Sequence, residues 1–194
     1  MTTGSLSGFP ARTWKAGRPL WRIHRAASDA WWFNADGTGR FDPVHVSGLG
    51  ACYLAQDRLG AFVEVFRTRL ELDQDDIDER RIARVELSRE LRLADVVSRW
   101  ALGFGVTAEV GAGGEYEYDS SQELASGLAA AGYEGIRWWV RHDPAQRLVG
   151  IALFGSAGVA STGGGLPPAD SCEIDRGLLD EARRKVGYRV VPRP

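Results

Sequence analysis

Apolar and polar residues alternate along several short stretches of the chain, and this period predicts β-strands. The predicted strands are Leu20–Arg25, Ala51–Ala55, Arg81–Ser88, Gly135–Val140, Leu148–Phe154 and Tyr188–Val191. Helical patterns lie between them, but strands and helices follow no regular βαβ repeat. The pattern therefore favours an α+β fold, with mixed small sheets flanked by helices, over a doubly wound sheet.

The best-defined predicted helix runs from Arg58 to Leu70, after Asp57 as a candidate N-cap. Its apolar residues form one stripe at helical spacing, and Glu64 lies off this stripe beside Gly60 and Ala61. Small residues next to a carboxylate leave room for something other than protein. Three further helices are predicted: a short one over 95–102, one opened by a capping box at Ser120–Glu123, and one over 178–185.

Outside these elements, the pattern predicts two segments without regular structure. Residues 1–16 are small and polar and predict a flexible N-terminal arm, followed by a single domain over 17–194. The acidic stretch Glu71–Glu79 is interpreted as a solvated connection. Of the paired aromatics, Trp138 and Trp139 point to opposite sides of a strand, so one of them can line a cleft.

Composition narrows the possible partners. The net charge of −2 leaves no broad basic surface for nucleic acid, although local arginine clusters can still bind a small anion. No signal-peptide core and no run of about 20 apolar residues is present, so we expect a cytoplasmic protein without a membrane partner. Two cysteines and three scattered histidines show no metal-binding spacing, so we expect no metal and no prosthetic group.

A set of polar residues in apolar surroundings carries the candidate chemistry: Arg22, Arg40, Tyr53 and Glu64. Guanidinium groups bind pyrophosphate through paired hydrogen bonds, and a tyrosine ring can stack on a heterocycle and offer its hydroxyl. A carboxylate stabilises positive charge that develops at an anomeric carbon. A strand–turn–helix unit can bring Tyr53 and Glu64 to the same side of a cleft. The set suits cleavage of an N-glycosidic bond in a dinucleotide.

Five short blocks in order resemble the RES-domain family. They are Trp21-Arg22-Ile23, Gly39-Arg40-Phe41, Tyr53-Leu54-Ala55, Ala61-Phe62-Val63-Glu64, and the downstream run from Ala131 to Arg137 with Arg141-His142 and Ile151–Phe154. The resemblance covers about residues 20–155 and implies a fold like that of ADP-ribosyltransferase toxins. It further implies NAD as the substrate, cleaved at the nicotinamide–ribose bond by phosphorolysis or hydrolysis, and a cognate antitoxin as a possible partner.

The same resemblance implies roles for individual residues. Arg22 and Arg40 would bind the phosphates of NAD, and Arg141 would be a further NAD-binding residue. Tyr53 would contact nicotinamide or its ribose, and Glu64 would be the catalytic carboxylate, so that Tyr53 and Glu64 form the catalytic pair.

One position departs from the family pattern. The family serine precedes an arginine, whereas Val140 precedes Arg141 here, and valine cannot hydrogen-bond an incoming phosphate. Ser120 or Ser121 could supply a hydroxyl instead. Water, phosphate and a macromolecule therefore stay open as acceptors, the last making the protein an ADP-ribosyltransferase. A catalytically silent module that binds a nucleotide or a partner protein is the remaining alternative.

Overall fold

The computed structural model describes residues 6–107, 110, 118–159 and 166–192. The β-strands are β1 Ala11–Trp14, β2 Pro19–Arg25, β3 Trp32–Phe33, β4 Leu49–Ala55, β5 Glu71–Asp73, β6 Arg80–Glu86, β7 Leu91–Asp95, β8 Gly135–Trp139, β9 Val149–Ser156, β10 Gly158–Val159, β11 Asp170–Glu173 and β12 Arg189–Val191. The helices are α1 Arg58–Phe66, α2 Gln74–Asp78, a 3₁₀ helix Arg99–Phe104, α3 Asp119–Ala130 and α4 Arg176–Val186. Within these ranges, no helix has the length and apolar character needed to cross a bilayer.

One large sheet dominates the architecture, in the strand order β1-β7-β8-β9-β4-β2-β6-β11. Neighbouring strands in it are antiparallel except β7 and β8, which run parallel. Two small two-stranded sheets, β3 with β10 and β5 with β12, lie beside it. The α+β class is confirmed, although the main sheet is larger than the small sheets expected from the sequence.

Helix α1 begins as the sequence predicts and ends earlier. The Asp57 carboxylate accepts a hydrogen bond of 2.7 Å from the Gly60 N–H and so caps the first turn. The apolar stripe is buried up to Phe66. The helix stops there rather than at Leu70, because Arg67 adopts a φ of 52°, which no helical residue has.

Two local predictions made from the sequence pattern are wrong. The stretch 71–79 is not a solvated connection, since it forms β5 and α2 and buries Leu72 and Ile77. The predicted capping box at 120–123 does not form, because α3 already begins at Asp119 and makes no side-chain cap. The Ser121 hydroxyl donates to the Tyr118 carbonyl instead.

The two faces of the main sheet are covered differently. Along β4, Ala51 and Tyr53 contact the apolar cluster beneath α3, whereas Cys52 and Leu54 contact a cluster on the opposite face. A third cluster lies under α1 and α4 and includes Ala55 at the end of β4. The strand thus runs from one helix-covered region to the next, and Tyr53 lies at the border between them.

The main sheet opens between β4 and β2, its fifth and sixth strands. β2 and β4 are paired only at Trp21 and Ala55, whereas β2 pairs with β6 over seven positions and β4 with β9 over seven. Beyond the single pair, the two strands leave a gap between their backbones. This gap positions the cleft described below.

The N-terminal segment corrects a further prediction. Residues 1–5 of the predicted arm lie outside the described residues, but Ala11–Trp14 form β1 along the edge of the main sheet. The side chains of Phe9 and Trp14 are buried at 2% and 1% exposure. The interpretation as a flexible arm is therefore wrong over this part, because its two aromatic residues complete the core.

Replacing Trp14 should show this contribution. We expect Trp14→Ala to lower the free energy of unfolding by about 3–5 kcal/mol, the usual cost of deleting a buried aromatic side chain. Arg12→Ala, at an exposed position of the same strand, should change it by less than about 0.5 kcal/mol. Chemical denaturation measures both, and equal small effects would mean that the segment is loosely attached.

Candidate active site

A cleft of about 440 Å³ lies where β2 and β4 separate. It is lined by Trp21, Arg22, Ile23, Thr38, Gly39, Arg40, Phe41, Tyr53, Leu54, Ala61, Glu64, Val65, Arg67, Tyr118, Trp138, Arg141 and His142. All five residues singled out from the sequence, Arg22, Arg40, Tyr53, Glu64 and Arg141, are among them. The fold thus brings these five residues together in one cleft, and the role of each stays a prediction.

Glu64 supplies the one carboxylate among the described lining residues. Its Oε2 is buried and has no hydrogen-bond partner among the described residues. Burial raises the pKa of Glu64 above its ordinary value, and the nearby guanidinium groups of Arg40, Arg67 and Arg141 oppose that increase. A buried carboxylate oxygen without a partner is costly to a fold, so it marks a position built for a ligand.

Arg40 reaches the cleft from the loop before β4. Burial lowers the pKa of Arg40, the neighbouring charge of Arg141 lowers it further, and Tyr118 and Glu64 oppose both effects. Its guanidinium group lies 5.6 Å from the centre of the Tyr118 ring. Two arginines held close together in one cleft repel each other, and an anionic ligand between them would relieve that repulsion.

Arg22 approaches from the other side of the gap. Its Nη1 donates a 3.0 Å hydrogen bond to the Trp32 carbonyl and a second one to the Cys52 thiol. These contacts hold one nitrogen of the guanidinium group, which has further N–H donors. Arg22 is therefore a positioned cation rather than a mobile surface side chain.

Tyr53 has a different arrangement from the one expected. Its hydroxyl donates to Asp42 Oδ1 at 2.7 Å and accepts from the Phe41 N–H at 2.9 Å. Burial and the Asp42 charge raise its pKa well above the usual value. The hydroxyl proton is thus already engaged inside the protein, and the ring, 5.9 Å from that of Trp138, is the part available to a ligand.

Asp42 is a residue that the sequence analysis missed. It is fully buried, and its Oδ2 accepts from the Gly39 N–H at 2.9 Å and from Asn34 Nδ2 at 2.7 Å. Burial raises its pKa, and the hydrogen bonds, led by that of Tyr53, counteract the increase. This network ties residues 34–42 to β4 and fixes Arg40 in the cleft.

Helix α3 also contacts the loop 34–42 through hydrogen bonds. Gln122 Nε2 donates to the carbonyls of Gly37 and Gly39 at 2.8 and 2.9 Å. Gly39 must be glycine, because a Cβ atom there would collide with the Tyr53 hydroxyl and the Asp42 carboxylate. The sequence predicted a turn in this region but contained no sign of these long-range contacts.

Val140, which stands where the family pattern has its serine, does not point into the cleft. Val140 is fully buried in the cluster under α1 and α4 and does not line the cleft. Trp138 lines it instead, as expected for one member of the tryptophan pair, and packs against Phe41 with ring centres 5.1 Å apart. Gly150 on the neighbouring strand leaves the space that the Trp138 indole fills.

No serine is found among the described residues that line the cleft. Ser120 is exposed, and Ser121 is buried with its hydroxyl bonded to the Tyr118 carbonyl, so neither takes the place of the family serine. Thr38 is the one described aliphatic hydroxyl in the lining. Its Oγ1 donates to Asp36 Oδ1 at 2.6 Å.

Residue types that can bind a metal ion are scattered over the described part of the chain. His, Cys, Asp and Glu side chains there form no group of three or more that could hold a metal ion. Cys52 is buried and Cys172 exposed, and both are free thiols. The site is thus defined by arginines, aromatic rings and one carboxylate.

The protein thus has an α+β fold whose main sheet opens into a cleft, and this cleft contains several arginines and one carboxylate among its described residues. The model of the RES domain family matches residues 19–163, about three quarters of the chain, and the chain belongs to this family. No curated protein matches the chain.

A solved structure shares the fold. A chain in the crystal structure of the M. tuberculosis MbcT–MbcA toxin–antitoxin complex is similar with a TM-score of 0.63 at 19% sequence identity. The match covers 89% of this chain and 92% of that chain. At this identity the likeness supports the fold alone.

The location of Val140 leads to a test of the serine position. We expect Val140→Ser to lower the free energy of unfolding by roughly 1–3 kcal/mol, because a hydroxyl is then buried in an apolar cluster. If the protein cleaves NAD as the family resemblance implies, the ratio of phosphorolysis to hydrolysis products should not change. Val44→Ser, at a position with 38% exposure, should cost less. A stable Val140→Ser protein with more phosphorolysis would place this side chain in the cleft after all.

Proposed function

We propose that this protein cleaves the nicotinamide–ribose bond of NAD. The observation that carries the proposal is Glu64, whose buried Oε2 has no hydrogen-bond partner among the described residues, in a cleft whose described lining includes four arginines. Membership of the RES family supports the same activity. The similar chain comes from a toxin–antitoxin complex, and by analogy we propose that this protein is a cytoplasmic toxin restrained by a cognate antitoxin.

The charges of the cleft are complementary to NAD. The pyrophosphate of NAD bears negative charge, for which Arg22 and Arg40 in the cleft lining offer fork-shaped donors. The nicotinamide ring is flat and cationic, and the rings of Tyr53 and Trp138 provide an aromatic wall. Arg141 adds a further cation at the C-terminal side of β8.

Glu64 is the group that promotes bond cleavage in this proposal. Positive charge develops on the ribose as nicotinamide leaves, and a nearby carboxylate stabilises it. Only the ionised form does so. Because burial raises the pKa of Glu64, activity should increase with pH through a midpoint above the ordinary glutamate range.

Removing the Glu64 charge is the direct test. We expect Glu64→Gln to reduce NAD turnover by a factor of about one hundred or more, the scale of losing a principal electrostatic stabiliser. The measurement is mass detection of nicotinamide, ADP-ribose and its 1″-phosphate, with and without inorganic phosphate. Exposed Glu123→Gln on α3 is the matched control and should retain full activity.

Glu64→Gln should lower turnover but should not lower the stability of the folded protein. A carboxyl with a raised pKa in the folded state binds its proton more tightly there, so its stabilising effect is present at low pH and lost as pH rises through that pKa. At neutral pH, Glu64→Gln should therefore melt at or above the melting temperature of the parent.

No turnover of NAD by the parent would contradict the proposed activity. ADP-ribose attached to a protein would identify a transferase instead.

The arginines can be tested by binding. Arg22→Ala and Arg40→Ala should each weaken NAD binding by roughly 1.5–3 kcal/mol, as expected for a charge-assisted hydrogen bond. Calorimetry with the Glu64→Gln background avoids turnover during the titration. Arg12→Ala, which is exposed and outside the cleft lining, should bind like the parent. Unchanged affinity in both cleft variants would remove them from phosphate binding.

A further inference from the structure

Arg67 has a backbone conformation that favours glycine. It follows the last residue of α1 with φ 52° and ψ −126°, and its N–H donates to the Val63 carbonyl at 2.8 Å. A hydrogen bond of 3.1 Å from the Arg69 N–H to the Phe66 carbonyl closes the turn around it. A positive φ at the second residue of such a turn is typical of type II′, where glycine is preferred and a side chain causes strain.

The surroundings impose this conformation. The buried Tyr188 donates its hydroxyl to the Arg67 carbonyl, and burial raises the pKa of Tyr188 to about 12. The Tyr188 ring packs edge-on against Phe62 of α1, with ring centres 5.1 Å apart. Glycine would adopt this backbone conformation at position 67 without strain. The presence of arginine must therefore be explained by what its side chain does.

That side chain lines the cleft and is exposed at its mouth. Arg67 follows Glu64 by three residues, both line the cleft, and the Arg67 charge acts on the Glu64 carboxylate. Among described residues other than glycine, Gln146 is the one further case of positive φ. Gln146 lies in an exposed turn and does not line the cleft.

The charge balance of the cleft leaves room for a second anion. The described acidic, lysine and arginine residues in its lining are four arginines and one glutamate, a net charge of +3. NAD brings one net negative charge, because two negative charges of the pyrophosphate are offset by the positive nicotinamide ring. A charge of +2 remains, and a hydrogen phosphate dianion would neutralise it.

We propose that Arg67 binds an anionic acceptor, a tetrahedral oxyanion such as inorganic phosphate, which enters the mouth of the cleft beside Glu64. This inference rests on the proposed function. An acceptor oxygen forms a bond to the anomeric carbon while the bond from that carbon to the nicotinamide nitrogen breaks. The bonding electron pair leaves with the nitrogen, so that nicotinamide departs neutral and the ribose carries the phosphate.

Arg67→Gly separates the structural role of this residue from binding. The variant keeps the backbone and relieves the strain, so we expect its melting temperature to equal or exceed that of the parent. Its KM for phosphate should increase at least tenfold, while its KM for NAD should change less than threefold. Gln146→Gly is the matched control, with equal or higher stability and unchanged KM values. Arg67→Lys, which keeps the charge but not the fork, should fall between parent and glycine variant.

Direct binding keeps the test independent of turnover. Parent and Arg67→Gly are titrated calorimetrically with inorganic phosphate at constant ionic strength, and the parent should bind at least ten times more tightly. Equal phosphate affinity, or a lower melting temperature with unchanged KM for phosphate, would overturn the assignment of Arg67. Absence of NAD cleavage by the parent, with tighter phosphate binding than in Arg67→Gly, would contradict the proposed activity but support the anion site.

Discussion

The opening between β2 and β4 is the constraint on which the site depends. Successive residues of a strand point to opposite faces, so a cavity on one face meets only every second side chain. The cleft contacts Arg22 and Ile23 on one strand and Tyr53 and Leu54 on the other, and therefore reaches between the strands. A single paired position, Trp21 with Ala55, allows this, since a complete ladder would close the gap.

Two carboxylates beside this opening differ in their hydrogen bonding, and this difference indicates which one has a structural role and which one faces a ligand. Asp42 receives three hydrogen bonds, from Tyr53, Gly39 and Asn34, which compensate for its burial and make it a fixed anchor for the loop. Burial raises the pKa of Glu64 as it raises that of Asp42, but the Oε2 of Glu64 has no partner among the described residues. A bond of this kind contributes about 1 kcal/mol, and an unmet buried acceptor costs about 1–3 kcal/mol. At Glu64 the fold carries that cost inside the cleft.

Stability and binding oppose each other at the end of α1. Glu64 has a buried oxygen without a partner in the described part of the chain, and Arg67, three residues later, has a positive φ. Each is unfavourable for the folded state, and both face the same cavity. Proteins concentrate such features where a ligand is bound, because the rest of the structure supplies enough stability to maintain them.

The sequence by itself determined the α+β class, the strand and helix carrying Tyr53 and Glu64, the Asp57 cap and the residues that converge on the cleft. These features depend on local period and residue chemistry. Only the tertiary structure decided that Val140 faces the core, that β1 pairs with β7, and that Asp42 meets Tyr53. A period of two shows that a strand has two faces, but packing between distant segments determines what covers each face and where the sheet opens.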